Sequence, residues 1–287
     1  MNINKVKKNF SNIDFIIPYQ HGNNFDRVKN LSIVLYYILD NFDTNIYLKE
    51  TGSNSYETHI IPYLNYHNID ISKIKYFNEK TYYENFPKTK ILNDLIMETK
   101  NDFIIMHDAD ILLPIFSYSA ISKITEEDCD FLLPIGDHGS FLIKKENDFI
   151  YLNPHTIYNM INVDPFLNNV NPYLPGPPGG VHFMRKKAYF EGYLENENFS
   201  GYGPEDSEKI LRFKKLGFKV ERFNGAAFDL LHEKNDEKNI YGHPLYRTKN
   251  IENNLKLYEY LISLNREELI EYYKNQKYFK KRMKGKK

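Results

Sequence analysis

The sequence predicts an α/β protein with one mostly parallel central sheet, helices on the faces of that sheet, and further helices at the C-terminal end. The first observation is that short apolar segments alternate with amphipathic helical segments through the N-terminal part of the chain. The second is the apolar segment at residues 103–106, which stops abruptly at Asp108 and Asp110. Such a segment is typical of a central strand, and open α/β sheets bind ligands where their strands end.

The N-terminal part of the chain follows the order strand, helix, strand, strand, helix, strand. The predicted strands cover residues 13–17, 44–48, 74–77 and 102–106. One helix is predicted to begin near Asp26 as its N-cap, and another covers residues 90–99. Right-handed crossovers place the strand exits after Ile17, Leu48 and Met106 along one edge of the sheet.

The second half of the chain is less regular. We predict a short helix at residues 117–124, a strand at 131–135, a helix at 205–216, strands at 219–223 and 226–231, and amphipathic helices at 251–264 and 266–278. Residues 153–170 are ambiguous between helix and strand. Residues 171–180 are rich in proline and glycine, which predicts an irregular loop. Such a loop is either a linker or part of a site, and the strand-like residues that follow it favour a site. The basic residues from 274 onward predict a frayed, solvated tail, with contact to an anionic surface as the alternative.

Composition excludes several classes of protein. The 287 residues are enough for one large domain or two small ones, and 38 basic residues balance 38 acidic ones. This balance argues against a nucleic-acid-binding protein. The single Cys129 excludes an intramolecular disulfide and a cysteine-based zinc site. We see no signal peptide and no transmembrane segment, so we expect a cytoplasmic protein, with peripheral membrane association through its basic C-terminal tail as an option.

Acidic residues mark two candidate sites. Asp108 and Asp110 are two apart, so on an extended chain both carboxylates point to one side and suit Mg²⁺ or Mn²⁺, which would hold a diphosphate. The alternative is a strand that simply runs into an acidic turn. Glu205 and Asp206 open a helix, where acids also complement the helix dipole without any catalytic role. His232 follows the last predicted strand and could complete a metal site begun by Asp110, although a lone histidine is more often a surface residue.

Some expected motifs are absent from the sequence. We find no glycine-rich phosphate loop of the dinucleotide-binding or P-loop type. We also find no Gly-x-Ser-x-Gly elbow. These absences count against a dehydrogenase, an NTPase and an α/β-hydrolase.

Four segments together resemble the GT-A glycosyltransferases of the β-1,4-galactosyltransferase type, whose C-terminal half is shared with polypeptide N-acetylgalactosaminyltransferases. They are Ile16-Ile-Pro-Tyr-Gln-His21, Phe86-Pro-Lys-Thr-Lys-Ile-Leu-Asn93, His107-Asp-Ala-Asp-Ile-Leu-Leu-Pro114, and the pair Gly179-Gly-Val181 with Gly201-Tyr-Gly-Pro-Glu-Asp206. Their order and spacing agree with the family between residues 13 and 236. The resemblance implies a GT-A (Rossmann-like) domain at residues 1–249, with a nucleotide-binding half at about 13–114 and an acceptor-binding half at about 131–236, followed by C-terminal helices and a basic tail at 250–287.

The resemblance also implies roles for individual residues. Donor contacts are implied for Pro18, Tyr19, Glu50, Phe86, Lys88, Asp108, Gly180 and Tyr202. Metal contacts are implied for Asp110, His232, Asp108 and Asp229. Asp206 matches the catalytic base, and Glu205 matches its acceptor-binding neighbour. The implied reaction is the inverting, Mn²⁺- or Mg²⁺-dependent transfer of a hexose or N-acetylhexosamine from a UDP-sugar to a hydroxyl of a glycan, glycolipid or protein.

The sequence also departs from the family pattern. Gln20 and His21 stand where the family has arginine, and Lys88 replaces an arginine that can bind in bidentate fashion. Asp229 stands where some members have a metal-binding methionine, and Tyr202 replaces tryptophan. Two other classes stay open at this point, a nucleotidyltransferase and a non-catalytic module that binds sugars. A glycoside hydrolase also uses two carboxylates, but it does not need the Asp-x-Asp strand exit.

Overall fold

The computed structural model describes residues 6–22, 24–136, 139–143, 161, 170–172, 176–230 and 250–284. The strands are β1 (Lys8–Gln20), β2 (Phe42–Thr51), β3 (Ile74–Glu79), β4 (Phe103–His107), β5 (Ile111–Leu112), β6 (Phe131–Leu133), β7 (Ser140–Ile143), β8 (Val170–Pro172), β9 (Val181–Arg185), β10 (Val220–Arg222) and β11 (Ala227–Leu230). The helices are α1 (Phe25–Asn41), α2 (Ile61–Tyr66), α3 (Lys88–Glu98), α4 (Ile115–Tyr118), α5 (Ser122–Thr125), α6 (Lys186–Glu191), α7 (Glu205–Leu216), α8 (Ile251–Ser263), α9 (Arg266–Asn275) and α10 (Lys277–Lys284). A π-helical turn, Tyr56–Ile60, leads into α2, and a 3₁₀ turn, Ser119–Ile121, joins α4 to α5.

The described residues form a seven-stranded central sheet in the order β10-β6-β9-β4-β1-β2-β3. β1 pairs in parallel with β2 and β4, β2 with β3, and β6 with β10. β9 runs antiparallel between β4 and β6. The predicted α/β class with a mostly parallel sheet is therefore confirmed, and the carboxyl ends of β1, β2 and β4 lie along one edge as expected.

Alternating side chains of β1 supply the two halves of the core. Phe15 and Ile17 pack into a cluster with the apolar residues of α1, whereas Ile16 packs on the other side with α3 and α7. All three side chains are fully buried, which is what a strand covered by helices on both faces requires. Each such burial contributes roughly 1.5–3 kcal/mol, so the central strands fix the sheet edge that carries the site.

A smaller sheet lies beyond that edge. In the described residues it has the order β5-β11-β7-β8, and its β5–β11 pair is antiparallel. The backbone N–H of Leu230 donates to the Asp110 carbonyl at 2.8 Å, which brings the two chain segments together. The prediction that residues 171–180 are wholly irregular is wrong for Asn171 and Pro172, which belong to β8. β8 is an edge strand of this sheet, where a proline is tolerated because its missing N–H has no ladder to complete.

Several element boundaries differ from the prediction. The N-cap of α1 is Asn24 and not Asp26, because the Asn24 side chain accepts the Asp26 backbone N–H at 2.9 Å. The single helix predicted at 266–278 is divided at Gln276, whose extended ψ of 132° ends α9. The prediction of a frayed tail is wrong for Lys277–Lys284, which forms α10. Within the described ranges, no helix combines the length and apolar character that crossing a bilayer requires.

Candidate active site

One cavity lies at the carboxyl end of β4, where the sequence predicted a ligand. It is lined by Lys88, Leu92, Met106, Asp108, Gly180, His182, Asp206 and Lys209. Asp108 follows β4 directly, and its backbone N–H donates to the Gly180 carbonyl at 2.8 Å. Gly180 has a φ of +93°, a conformation that favours glycine, so this turn keeps the cavity wall free of a side chain.

Lys88, the first residue of α3, joins two of the predicted functional acids. Its Nζ lies 3.0 Å from Asp108 Oδ1 and 3.4 Å from Asp206 Oδ2. Burial alone would lower the pKa of Lys88, but Asp108 and Asp206 outweigh it and raise the pKa well above the usual value. Burial raises the pKa of Asp108 to about 6, and the neighbouring Lys88 opposes that rise. The Lys88 ammonium group therefore stays charged and holds the carboxylates of Asp108 and Asp206 close to each other.

Asp206, the second residue of α7, is held between two lysines. Besides Lys88 on Oδ2, Lys209 Nζ lies 3.1 Å from Oδ1. Burial tends to raise the pKa of Asp206, but both lysines together hold it below its usual range. Asp206 is thus an ionised carboxylate at neutral pH, and its side chain keeps 13% of its surface exposed.

Gly179 lets the chain pass close to Asp206. A Cβ atom placed on Gly179 would lie 2.4 Å from Asp206 Oδ2, far inside contact distance. The obstacle is the tip of a side chain and not backbone, so a larger residue at this position would displace the carboxylate and leave the surrounding backbone in place. The predicted Gly-Gly-Val segment therefore shapes the site through the space that its first glycine leaves open.

Glu205 begins α7 and is chemically different from its neighbour. Its Oε2 is buried and has no hydrogen-bond partner among the described residues. Burial and the charge of Asp206 raise the pKa of Glu205 to about 8. At neutral pH this carboxyl is therefore mostly protonated, and its O–H is available to donate a hydrogen bond.

His182 in β9 was not predicted as a site residue, although it lines the cavity. Its Nε2 donates to the Pro178 carbonyl at 2.6 Å, and its Nδ1 lies 3.8 Å from Asp206 Oδ1. Burial and then Lys209 lower the pKa of His182 to about 3, so the ring is neutral. The Pro178 contact fixes the tautomer with a proton on Nε2, so that the unprotonated Nδ1 faces Asp206.

Glu195 and Lys209 were also missed. Lys209 carried a signal, because it lies three residues after Asp206 and a helix places such residues on the same face. Glu195, which lies 2.7 Å from the Lys209 ammonium, comes from the segment before α7 and carried no periodic signal.

The predicted donor residues at the ends of β1 and β2 lie outside the lining of this cavity. Glu50 is fully buried, and its carboxylate accepts hydrogen bonds from the hydroxyl groups of Ser53, Ser55 and Tyr76. It also accepts from two backbone N–H groups of the turn that follows β2. Tyr19 is buried beside it, with its hydroxyl 3.4 Å from Ser55 Oγ, and Pro18 precedes it in β1. Hydrogen bonds therefore hold Glu50 and Tyr19 in place, next to Pro18, at the same sheet edge as Asp108.

Phe86 and Tyr202 come from two loops that lie together beside Lys88. The backbone N–H of Gly201 donates to the Phe86 carbonyl at 3.3 Å. Asn254 in α8 donates from Nδ2 to the Tyr202 carbonyl at 3.0 Å, which ties the second loop to the C-terminal helices. Tyr202 exposes 49% of its surface, which suits an aromatic ring that is meant to contact a ligand.

The predicted metal ligands are placed only in part. Asp229 is paired with Ile111 in the β5–β11 ladder, so it is a close neighbour of Asp110 along the backbone. His232 lies outside the described residues. In the part of the chain that the structure describes, no three His, Cys, Asp or Glu side chains converge as a metal site would need. The carboxylate oxygens of Asp108 and Asp110 are nevertheless the hard donors that Mn²⁺ and Mg²⁺ prefer.

The charges that line the cavity favour the binding of an additional cation. Both ammonium groups that line it in the described residues are already paired with carboxylates, Lys88 with Asp108 and Lys209 with Glu195. A diphosphate that entered this cavity would therefore need more positive charge than these two lysines supply.

Comparison with known proteins identifies the fold. No protein-family model matches the sequence, and no curated protein matches it. Among solved structures, GalNAc-T7 with UDP, GalNAc and Mn²⁺ superposes with a TM-score of 0.53 and 11% identity, over 87% of this chain and 50% of that chain. A mannosyltransferase from Pyrobaculum calidifontis in complex with GDP-Man and Mn²⁺ superposes with a TM-score of 0.49 and 11% identity, over 79% of this chain and 58% of that chain. Drosophila β1,4-galactosyltransferase 7 with xylobiose superposes with a TM-score of 0.45 and 13% identity, over 84% of this chain and 77% of that chain.

The chain spans about half the length of GalNAc-T7 and somewhat more of the mannosyltransferase. The identities are low, so the likeness concerns the arrangement of the backbone. That arrangement agrees with the resemblance seen in the sequence motifs and with the seven-stranded, mostly parallel sheet of the described residues. The chain therefore has the GT-A fold of glycosyltransferases.

Proposed function

We propose that this protein is a metal-dependent, inverting glycosyltransferase that moves a hexose or N-acetylhexosamine from a UDP-sugar to an acceptor hydroxyl. The observation that carries the proposal is the convergence of Asp108, Lys88 and Asp206 on one cavity at the carboxyl end of β4. Asp108 and Lys88 belong to the nucleotide-binding half, and Asp206 belongs to the acceptor-binding half. We assign residues 1–249 to the GT-A domain and 250–287 to its C-terminal helices and basic end.

The donor would lie along the sheet edge between Pro18 and Asp108, with Tyr19, Glu50 and Phe86 on the nucleotide side. Lys88 carries a stable positive charge beside Asp108, so it can turn from that carboxylate to an incoming diphosphate. Gly180 leaves room for the sugar, and the exposed ring of Tyr202 offers it a flat apolar surface.

Asp108 and Asp110 would hold the divalent cation, Mn²⁺ or Mg²⁺, with Asp229 and His232 as further candidate ligands. When bound, the cation would supply Lewis-acid stabilisation to the leaving diphosphate. The pairing of both cavity lysines with carboxylates supports this need for added charge.

Asp206 would act as the general base. Its carboxylate would take the proton of the acceptor hydroxyl while the acceptor oxygen forms a bond to the anomeric carbon. The bond from that carbon to the diphosphate oxygen breaks in the same step, and its electron pair leaves with UDP. One displacement inverts the configuration, so an α-linked donor would give a β-linked product.

Glu205 and His182 would flank this proton transfer as groups that are largely uncharged at neutral pH. Protonated Glu205 can donate a hydrogen bond to another oxygen of the acceptor. Burial lowers the pKa of His182 to about 3, so the ring is neutral at pH 7 and adds no positive charge beside Asp206. The acceptor class, a glycan, glycolipid or protein, would be set by the surfaces around Tyr202.

We also propose peripheral association with anionic surfaces through α10. Lys277, Lys280, Lys281 and Lys284 are exposed on this helix, whereas Arg282 faces inward and pairs with Asp94 at 2.7 Å. The lysines are therefore held on one outward face. Sedimentation with vesicles that contain phosphatidylglycerol, compared with neutral vesicles, tests this. Equal binding after replacement of all four lysines by glutamine would contradict it.

The test of the enzyme class is UDP release from UDP-galactose, UDP-N-acetylgalactosamine and UDP-glucose in the presence of Mn²⁺. We expect turnover of one donor, with loss of both metal dependence and donor affinity in Asp110→Ala. Failure to turn over or bind any nucleotide sugar would favour a non-catalytic sugar-binding module. Release of pyrophosphate from a nucleoside triphosphate would favour a nucleotidyltransferase.

A further inference from the structure

We propose that Lys209 and Glu195 form a positioning pair that fixes the carboxylate of Asp206 in the orientation needed for proton transfer. The proposal rests on the function proposed above, in which Asp206 is the base. Neither the sequence motifs nor the usual preference for acids at the start of a helix explains the presence of Lys209 and Glu195. Lys209 acts through Asp206, so it is a positioning residue and does not touch the reacting atoms.

The contacts of Lys209 are unusual for a lysine on an amphipathic helix. Its side chain is 1% exposed, and its ammonium lies 2.7 Å from Glu195 Oε1 and 3.1 Å from Asp206 Oδ1. The sulfur of Met106 lies 3.9 Å from the same nitrogen. A buried ion pair of this kind gives little net stability, because desolvation of both charges offsets their attraction. What sets this pair apart is its contact with Asp206 Oδ1, from which Lys209 can fix the orientation of that carboxylate.

Glu195 is fixed in turn by Asn93 in α3. The Asn93 Oδ1 accepts the Glu195 backbone N–H at 2.8 Å, and its Nδ2 donates to the Glu195 carbonyl at 3.0 Å. The Tyr189 hydroxyl donates to the same Oδ1 at 2.8 Å, so Asn93 is itself held in place. A continuous chain of buried contacts therefore runs from α3 through Glu195 and Lys209 to Asp206.

The two oxygens of Asp206 have different surroundings. Oδ1 faces Lys209, which is fully buried, and lies 3.8 Å from His182 Nδ1. Oδ2 faces Gly179 and the ammonium of Lys88, which is 19% exposed and reaches Asp108 on the cavity side. Lys209 thus fixes Oδ1, and Oδ2 is the oxygen presented to the cavity. We assign the role of proton acceptor to Oδ2.

Asp206 is surrounded by charged or titratable groups from five parts of the fold. They are Lys88 of α3, Asp108 after β4, His182 of β9, Glu205 and Lys209 of α7, and Glu195 of the preceding segment. His182 is neutral and Glu205 is mostly protonated at neutral pH. Removal of the Lys209 charge would therefore leave Lys88 as the main cation beside Asp206, and the carboxylate would become easier to protonate.

The experiment compares five variants of the full chain with the wild type: Lys209→Met, Lys209→Arg, Glu195→Gln, the double variant Lys209→Met/Glu195→Gln, and Arg212→Met. Arg212 is the matched control, because it is an equally buried cation on the same helix that pairs with Glu208 away from the cavity. The measured quantities are kcat and the donor KM with a saturating divalent cation, and kcat from pH 3 to 9, a range that extends below the usual pKa of an aspartate. Circular dichroism establishes which variants are folded.

We expect Lys209→Met to lower kcat by about 10² at pH 7, because a misplaced base loses most of its advantage, with the donor KM little changed. The acid limb of its kcat profile should move up by roughly one to three pH units, since an opposite charge at this distance shifts a carboxyl pKa by that amount. Lys209→Arg should recover part of kcat. The kcat of Glu195→Gln should lie between those of the wild type and Lys209→Met. The kcat of the double variant should be no lower than that of Lys209→Met, because the two residues act as one unit.

A wild-type kcat and pH profile in folded Lys209→Met would overturn the proposal, as would an equal shift of the profile in Arg212→Met. Should Lys209→Met fail to fold, Glu195→Gln decides, because it keeps Lys209 and changes only its support. A wild-type profile in that variant counts against the pair. Failure of the underlying function is seen separately, as absence of wild-type turnover or as full activity of Asp206→Asn.

Discussion

Helix α7 carries two buried clusters of charge that differ in almost every other respect. The front cluster joins Asp206 and Lys209 to groups from α3, β4 and the segment before α7, and it faces the cavity. The rear cluster joins Glu208 to Arg212, one helical turn later, at 3.0 Å, with side chains 3% and 0% exposed. The Tyr273 hydroxyl of α9 donates to the same Glu208 oxygen at 2.6 Å, and the Arg212 guanidinium lies over the Tyr273 ring.

The difference shows what separates a candidate site from structural support. Both clusters contain buried ion pairs with strongly shifted pKa values, so neither burial nor a shifted pKa singles out the front one. The front cluster is distinct because Asp206, Lys209 and Lys88 line the cavity, and because the side chains of Lys88 and Asp206 stay 19% and 13% exposed. The rear cluster lies outside the lining of the cavity and fastens the C-terminal helices to α7 through Tyr273. Four variants test this distinction.

Asp206→Asn should give the largest effect. We expect a loss of about 10³ in kcat, because a general base contributes 10²–10⁴ and asparagine cannot accept the proton. Donor binding and the thermal midpoint should stay close to wild type, since Lys88 and Lys209 keep Asp108 and Glu195 as partners. Single-turnover kinetics and calorimetric titration with the UDP-sugar measure the two quantities. Loss of donor binding in a folded variant would contradict the assignment of Asp206 as base.

Arg212→Met should change stability and not chemistry. It leaves Glu208 buried without its cation, and breaking a buried pair in this way costs about 3–5 kcal/mol of unfolding free energy. Urea denaturation measures that loss, and kcat per folded molecule should equal the wild-type value. A changed pH profile would mean that the rear cluster also acts on the site and would remove the distinction.

Glu205→Gln tests whether the protonated form of this carboxyl is the form that binds the acceptor. With a pKa of about 8, Glu205 is protonated below that pH and loses its donor O–H as the pH rises through it. In the wild type we therefore expect the acceptor KM to rise about tenfold one pH unit above the pKa, whereas glutamine keeps a donor and gives a flat profile. Acceptor kinetics between pH 6.5 and 9.5 provide the measurement. A wild-type acceptor KM that is flat across this range would show that the proton on Glu205 has no part in binding.

Arg282→Gln should give the smallest effect. Arg282 in α10 bridges Asp94 of α3 and Glu197, and its side chain is partly exposed, so its loss should cost only about 1 kcal/mol. The unfolding midpoint should fall slightly, and kcat should not change. A loss of kcat comparable to that of Lys209→Met would show that the Glu197 segment transmits its position to Lys209.

Local pattern was enough to predict the parallel strands of the central sheet and the longer helices, but not the smaller sheet. The apolar segments around Ile16 and Ile105 have the length and the flanking turns of buried strands, and the family motifs placed Asp108 and Asp206 in one site. The division at Gln276 was not predictable, because no proline or glycine marks it and the amphipathic spacing continues across it.

The interior of the site was the part that sequence reasoning missed. Lys209 pairs with Glu195 across a segment without periodicity, and Glu195 is placed by Asn93, which lies far away in the chain. Such contacts depend on how α3 and α7 pack, and spacing in the sequence does not encode that packing. His182 gave no signal either, because a single histidine in a strand is consistent with an ordinary core position.

Gly179 has a consequence for how this protein could change over generations. A methyl group there would meet Asp206 Oδ2, so an alanine would push the carboxylate away from Lys88 and Lys209. Selection for folding would act on position 179 only through the ion pairs of Asp206, whereas selection for turnover would act on the position of the reacting carboxylate itself. A lineage that no longer needed the reaction would be expected to lose this glycine early, while its buried strands stayed intact.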